Sequence, residues 1–283
     1  MLFRSGTGKV VRRFPCVGGV DVAGVVESSS DARFIAGDEV IVTGYEMGVA
    51  HDGGFAGYVR VPAEWVVPLP QGLSLFESMA LGTAGFAAAL SIHRLEQNDL
   101  KPGNGPVLVT GATGGAGSIG VSMLAQLGYH VVAVTGKDSE HAYLKSLGAQ
   151  EVLPRNAINL GSTRPLEKAQ WAGALDAVGG AMLAWLTRSM QQNGVIASFG
   201  NAGGAELHST VYPFILRGVR LIGIDSANTA MPLRKKIWQR MGSDLHPEQL
   251  NKIARTLPFA QLPQACADML HGQSQGRVVV KIG

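Results

Sequence analysis

The sequence predicts an α/β protein in which a β-rich stretch precedes a doubly wound parallel sheet, and three features of its texture predict it. The first eighty or so residues are short apolar segments broken by Gly-Gly, Pro and Asp-Gly-Gly punctuation. From about Ser74 small and apolar residues recur at helical spacing. After Pro106 short apolar runs alternate with amphipathic helical stretches, the pattern of repeated βαβ units whose parallel sheet is covered on both faces.

In order, DEVIVTG and GYVRVPAEWVVPLP read as strands, because turn formers bound each apolar run. LFESMALGTAGFAAALSIHRL reads as a helix. Then come the strand PVLVTGA, the helix SIGVSMLAQLG, the strand YHVVAVTGK, the helix SEHAYLKSLG, the strands EVLPR and GALDAVG, the helix AMLAWLTRSM and the strand GVIASFG. The tail FAQLPQACADMLHGQSQGRVVVKIG reads as one more helix and a strand.

With 283 residues, 46% hydrophobic and 16% charged, the chain is long enough to bury a substantial core. A net charge of +3, scattered along the chain, provides no footprint for nucleic acid; the one dense basic stretch is Lys9, Arg12 and Arg13. Cys16 and Cys266 stand too far apart in sequence for a disulfide framework or a metal knuckle, which favours a reducing, cytoplasmic setting. The N-terminus lacks the apolar core of a signal peptide, and no run approaches the ~18 apolar residues of a membrane span.

The strongest chemical signal is PVLVTGATGGAGSIGVSMLAQLG, where a buried-type strand runs into Gly111, Gly114 and Gly117 and then a helix. Such glycines permit a tight turn and let backbone approach a pyrophosphate at the positive helix N-terminus; the alternative is a strand-to-helix turn without ligand. In dinucleotide folds an acid about 20 residues on, at the end of the second strand, holds the ribose hydroxyls of NAD. Here that strand ends in Thr135, Gly136 and Lys137, a hydroxyl donor and a cation in place of a repelling carboxylate. NADPH is therefore expected over NADH, the alternative being that Lys137 caps a solvated strand end.

The order of a β-rich region, a doubly wound domain and a short return segment resembles that of the medium-chain dehydrogenases/reductases, whose zinc-dependent members carry an early Gly-His-Glu. The matching stretch here is Gly18-Gly19-Val20-Asp21, and valine cannot ligate zinc, so no metal is expected. None of the seven histidines forms a ligand pair or a triad, and no Gly-x-Ser-x-Gly elbow precedes a helix, which leaves hydrolase readings without support. His51, beside a Gly-Gly loop, could face a cofactor cleft or be an ordinary loop residue.

Several stretches together resemble the acrylyl-CoA reductase branch of the quinone oxidoreductase-like family: VGGVDVAGVV, LGTAGFAAAL, VTGATGGAGSIG, VVAVTGK, YLKSLGA, RPLEK, FILRGVRLIGIDS and QGRVVVKIG. The resemblance covers nearly the whole chain. It implies a Rossmann domain over residues 80–257 and a GroES-like catalytic domain built from 1–79 and 258–283. It also implies reduction by NADPH of the C=C bond of acryloyl-CoA to propanoyl-CoA, a reaction on a CH–CH bond. By the same resemblance Thr113, Gly114, Gly115 and Ala116 line the pyrophosphate and Gly117 completes the loop. Thr135, Gly136 and Lys137 meet the 2′-phosphate, Leu221, Gly223, Asp225 and Ser226 lie on the nicotinamide side, and Thr83 and Ala177 also touch the cofactor. Leu221 to Ser226 reads equally as an edge strand that pairs across a homodimer, and Thr83 could bond within its helix.

Relatives begin earlier, with the first strands of the catalytic domain and an Asn-Tyr-Lys-Asp segment whose tyrosine faces the cofactor. Met1 falls just beyond it, so the GroES-like domain is expected to lack its first strands: the chain is a fragment or has lost a catalytic element. Gly57 stands where relatives often have an acid. Hydride transfer to the β-carbon leaves an enolate on the thioester oxygen, yet no residue is marked as the proton donor, and the catalytic residue is left unknown. Lys9, Arg12 and Arg13 could meet CoA phosphates or form a solvated terminus. The alternatives are an NADPH:quinone oxidoreductase and an inactive NADPH-binding protein. A small-molecule enoyl-CoA and a second copy of the chain are the expected partners, with no nucleic acid and no membrane.

Overall fold

The computed structural model describes residues 10–282. In chain order its strands are β1 (Asp21–Val25), β2 (Glu39–Thr43), β3 (Val67–Pro68), β4 (Val107–Val109), β5 (Val131–Thr135), β6 (Glu151–Pro154), β7 (Trp171–Asp176), β8 (Met190–Ser198), β9 (Arg220–Gly223), β10 (Ala254–Pro258) and β11 (Arg277–Lys281). The α-helices are α1 (Leu75–Gln97), α2 (Gly115–Gln126), α3 (His141–Ser146), α4 (Gly180–Ser189), α5 (Tyr212–Arg217), α6 (Met231–Met241), α7 (Leu250–Ile253) and α8 (Leu262–Leu270).

The chain forms two compact units. One takes the described residues up to Phe86 together with Ser226–Ser243 and those from Leu250 onward; the other takes Ala87–Asp225 and Asp244–Gln249. This division differs from boundaries at 79/80 and 257/258 chiefly in giving α6 to the first unit. The reason is packing within that unit. Trp238 of α6 is fully buried with its ring 6.1 Å from that of Phe86. Arg234, also fully buried, donates Nη1 to the Thr43 carbonyl at 2.8 Å and Nη2 to the carbonyls of Ser226 and Ala227 at 3.0 and 2.9 Å. Its guanidinium lies over the rings of Tyr45 and Phe86, 4.4 and 4.9 Å from their centroids.

In the first unit β1, β2 and β3 form an antiparallel sheet in that order, with Ala23 opposite Ile41 and Val40 opposite Pro68. The tail strand β11 pairs in parallel with β10, with α8 as the crossover between them. In the second unit all six strands are parallel in the order β6-β5-β4-β7-β8-β9. That is the doubly wound order, and its direction reverses between β4 and β7. Strands β4, β5 and β7 are buried along their whole length, as a sheet covered on both faces requires.

Helix α1 is long and apolar enough, by length and composition, to cross a membrane, which a count of consecutive apolar residues does not detect. Two-thirds of its apolar window is buried in the fold, with Phe86, Ala88, Ala89 and Leu95 fully so. It is also broken: Gly82 has φ 51° and ψ −156°. Arg277 donates Nε to the Ala80 carbonyl at 3.0 Å, closing the first segment, while Asp21 accepts the Thr83 N–H at 3.0 Å, opening the second.

Candidate cofactor site

The second unit assembles its site at the carboxyl ends of the strands. After β4 the chain turns at Gly111, whose φ of 59° lies in the left-handed region. The Gly114 N–H returns to the Gly111 carbonyl at 3.0 Å, and α2 starts at Gly115 with Gly114 as an extended cap that makes no side-chain hydrogen bond. The first N–H groups of α2 thus keep no side-chain acceptor at that cap, the arrangement that suits an anion. At Gly117 a Cβ would lie 2.3 Å from the Gly111 oxygen and 2.7 Å from the Ala112 Cα, so only glycine lets α2 rest on the strand end. Thr113 and Gly117 are buried, Gly115 and Ala116 half-buried and Gly114 exposed, a cradle open on its Gly114 side. These residues fit a pyrophosphate.

At the end of β5, Thr135 is buried and its hydroxyl oxygen accepts the Lys137 N–H at 3.0 Å. The structure adds a residue that sequence reasoning missed. Because β5 and β6 pair with Thr135 opposite Pro154, Arg155 follows directly beside Gly136. A Cβ on Gly136 would meet the Arg155 guanidinium at 3.2 Å, so this glycine makes room for the cation. Gly136, Asp138, Arg155 and Asn156 line a cleft there. The signal was the Arg that closes EVLPR, but its value depends on a register that one strand cannot reveal.

Asp176 ends β7 with its side chain fully buried. Its Oδ1 accepts from the Thr110 hydroxyl at 2.7 Å and the Val178 N–H at 3.2 Å; its Oδ2 accepts from the Gly179 N–H at 3.0 Å and the Ser198 hydroxyl at 3.3 Å. Burial pushes this carboxyl above the usual range, and the four donors offset only part of that rise. The Ala177 N–H donates to Thr110 Oγ1 at 3.0 Å, which sets Ala177 beside Gly111. The loop after β8, also missed in the sequence, closes on the same ends: Phe199 N–H donates to the Asp176 carbonyl and Gly203 N–H to the Val178 carbonyl. Gly223 pairs with Ser198, and the Ile224 N–H reaches the Ser198 carbonyl at 3.0 Å, so Leu221, Gly223 and Asp225 run along the outer strand to the same edge.

Two expected contacts fall in the first unit. The Thr83 hydroxyl, like its N–H, is bonded to Asp21 Oδ1, and the Ser226 carbonyl to Arg234. Asp21, the neighbour of Val20, thus serves the break in α1. His51 Nδ1 lies 2.8 Å from the Asp52 carbonyl oxygen, and its ring stands edge-on to Trp65. Arg12 pairs with Glu46 and Arg13 with Asp52, while Lys9 lies outside the described residues. No group of three or more His, Cys, Asp or Glu side chains gathers around a common point among the described residues.

This doubly wound sheet, its glycine-lined strand-to-helix turn and the preceding antiparallel unit are those of a dehydrogenase/reductase. Two family models match: an alcohol dehydrogenase GroES-like domain over residues 2–71 and a zinc-binding dehydrogenase domain over residues 115–241. The chain belongs to the medium-chain dehydrogenase/reductase superfamily, among its quinone oxidoreductase-like members, and is an oxidoreductase. It is 54% identical over 276 residues to YhfP of Bacillus subtilis (strain 168), provisionally named a quinone oxidoreductase, covering 97% of this chain and 84% of that one. The structure of that protein with NAD bound matches at a TM-score of 0.96 over 100% of this chain and 88% of the other, at 52% identity. Acrylyl-CoA reductase AcuI of Ruegeria pomeroyi (strain ATCC 700808 / DSM 15171 / DSS-3) is 50% identical over 275 residues, 97% of this chain and 83% of AcuI. The yhdH oxidoreductase of Salmonella enterica, crystallised in complex with NADP, matches at a TM-score of 0.96 and 46% identity, over 100% of this chain and 86% of that one.

Proposed function

We propose that the protein is an NADPH-dependent reductase of the activated C=C bond of a small enoyl-CoA, converting acryloyl-CoA to propanoyl-CoA without zinc. The observation that carries the cofactor is the end of β5, where Thr135, Lys137 and the neighbouring Arg155 stand in place of the acid that would select NAD. The glycine loop and the head of α2 hold the pyrophosphate through backbone N–H groups. Thr135, Lys137 and Arg155 hold the 2′-phosphate, and Ala177 and the Leu221–Ser226 segment border the nicotinamide. When bound, the dihydronicotinamide supplies hydride to the β-carbon of the thioester, and the α-carbon then takes a proton. Similarity to AcuI supports the enoyl-CoA substrate, and the Salmonella enterica complex supports NADP. The Val20 position supports zinc-independence.

A second reading, reduction of a quinone, is favoured by the similarity to YhfP, whose NAD-bound structure also makes NADH a necessary control. The deciding experiment follows oxidation of NADPH and NADH with acryloyl-CoA and with a small quinone, identifying the product by mass. Propanoyl-CoA formed with NADPH supports the first reading. Turnover of the quinone alone overturns it in favour of the second, and tight NADPH binding with neither turnover would mark an inactive binding protein.

A further inference from the structure

Asp176 is a buried carboxylate without a cation. Its hydrogen-bond partners are the Thr110 and Ser198 hydroxyls and the Val178 and Gly179 N–H groups, and it forms no ion pair among the described residues. Thr110 Oγ1 accepts the Ala177 N–H, so its own proton is directed at Asp176. Both N–H groups can only donate, and both hydroxyls are able to. Such a set serves an ionised carboxylate, which accepts only.

The position of this charge matters as much as its partners. Asp176 ends β7 beside β4, where the strand order reverses. In open parallel sheets a dinucleotide lies across the carboxyl ends at that switch point, with the two nucleotide halves on either side of it. The cations Lys137 and Arg155 stand at the ends of β5 and β6, on the β4 side, which belongs to the adenosine half. The nicotinamide half then takes the β7, β8 and β9 side, where Asp176 is tied to Ser198 and, through it, to Gly223.

We infer that Asp176 is a fixed negative charge that sets the balance between the two redox forms of the bound dinucleotide, favouring the oxidised form with its cationic nicotinamide ring. The inference rests on the cofactor reading proposed above but not on the identity of the substrate. Its consequence follows from linkage: a site that holds NADP⁺ more tightly than NADPH makes bound NADPH a stronger hydride donor. Asp176 is a positioning residue in this sense, acting through space and through the strand ends it ties together. A purely structural brace would affect both redox forms alike.

The test measures dissociation constants for NADP⁺ and NADPH, by calorimetry and by nicotinamide fluorescence, in wild type, Asp176→Asn and Ser198→Ala. Asp176→Asn is expected to weaken NADP⁺ at least about threefold more than NADPH, the scale of one charge acting through a partly polar interior. Ser198→Ala removes a partner but keeps the charge, and should leave the ratio of the two constants unchanged. An unchanged ratio in folded Asp176→Asn overturns the inference while leaving the cofactor reading intact; a wild type that binds neither form overturns both. Should Asp176→Asn fail to fold, the wild-type constants decide together with the carboxyl ¹³C shift of Asp176 in the NADP⁺ complex at neutral pH: NADP⁺ held more tightly than NADPH beside an ionised group sustains the inference, and a protonated group or tighter binding of NADPH overturns it.

Discussion

Lys137 follows Gly136 along the chain and Arg155 lies against it from the end of the neighbouring strand, and each can give a 2′-phosphate a charge-assisted hydrogen bond worth roughly 1.5–3 kcal/mol. Lys137→Glu and Arg155→Ala should each raise the dissociation constant for NADPH by about one to two orders of magnitude and leave NADH little changed. Thr135→Ala should act in the same direction more weakly, because a neutral hydroxyl donates a weaker bond. Gly114→Asp sets a carboxylate at the head of α2 and should abolish binding of both cofactors together. Titration of both cofactors against these variants checks the assignment; equal losses of NADPH and NADH in the Lys137 and Arg155 variants would remove it. Thr135 and Lys137 were legible in the sequence because they follow a predicted strand at the expected distance from the glycine loop. Arg155 was not, because its nearness to Gly136 comes from the pairing of β5 with β6.

Among the elements, α1 is built around one residue that no side chain can replace cheaply. A Cβ at Gly82 would lie 2.6 Å from both Arg277 Nη2 and Asp21 Oδ2, in a backbone region that essentially only glycine occupies. Gly82→Ala should therefore destabilise the protein by about 2–3 kcal/mol, read as a fall in the denaturation midpoint at unchanged slope. Strand β9 makes the second prediction at this scale. It is an edge of the six-stranded sheet, its backbone is unpaired on one side within the described chain, and Val211, Ile215 and Leu216 are exposed close by in sequence. Antiparallel pairing with the same strand of a second copy would satisfy that edge. We expect a dimer in sedimentation at micromolar concentration. A wild type that stays monomeric removes the proposal.

At the scale of the whole molecule, cofactor binding should be felt chiefly in the unit that carries the parallel sheet. At a free NADPH concentration of 100 times its dissociation constant, linkage predicts about 2.7 kcal/mol of stabilisation. Hydrogen exchange should slow most at the carboxyl ends of β4, β5 and β7, through Gly111–Gly117, Thr135–Lys137 and Ala177–Gly180. Protection confined to the first unit would contradict the site.

What the sequence determined by itself was whatever is local or periodic: the alternation of strands and helices, the glycine turn into α2, and the Thr135-Gly136-Lys137 ending of β5. Those signals survive without coordinates because each follows from the conformational limits of neighbouring residues. Val20 likewise argued against a zinc ligand from side-chain chemistry alone. The tertiary structure decided what depends on residues distant in sequence. It gave α6 to the first unit through Arg234 and Trp238, turned Asp21 and Thr83 into the brace of a broken helix, and tied Thr110, Asp176 and Ser198 into one network. Each of these rests on a hydrogen bond or a packed ring between segments whose spacing along the chain carries no period, so only the folded chain could reveal them.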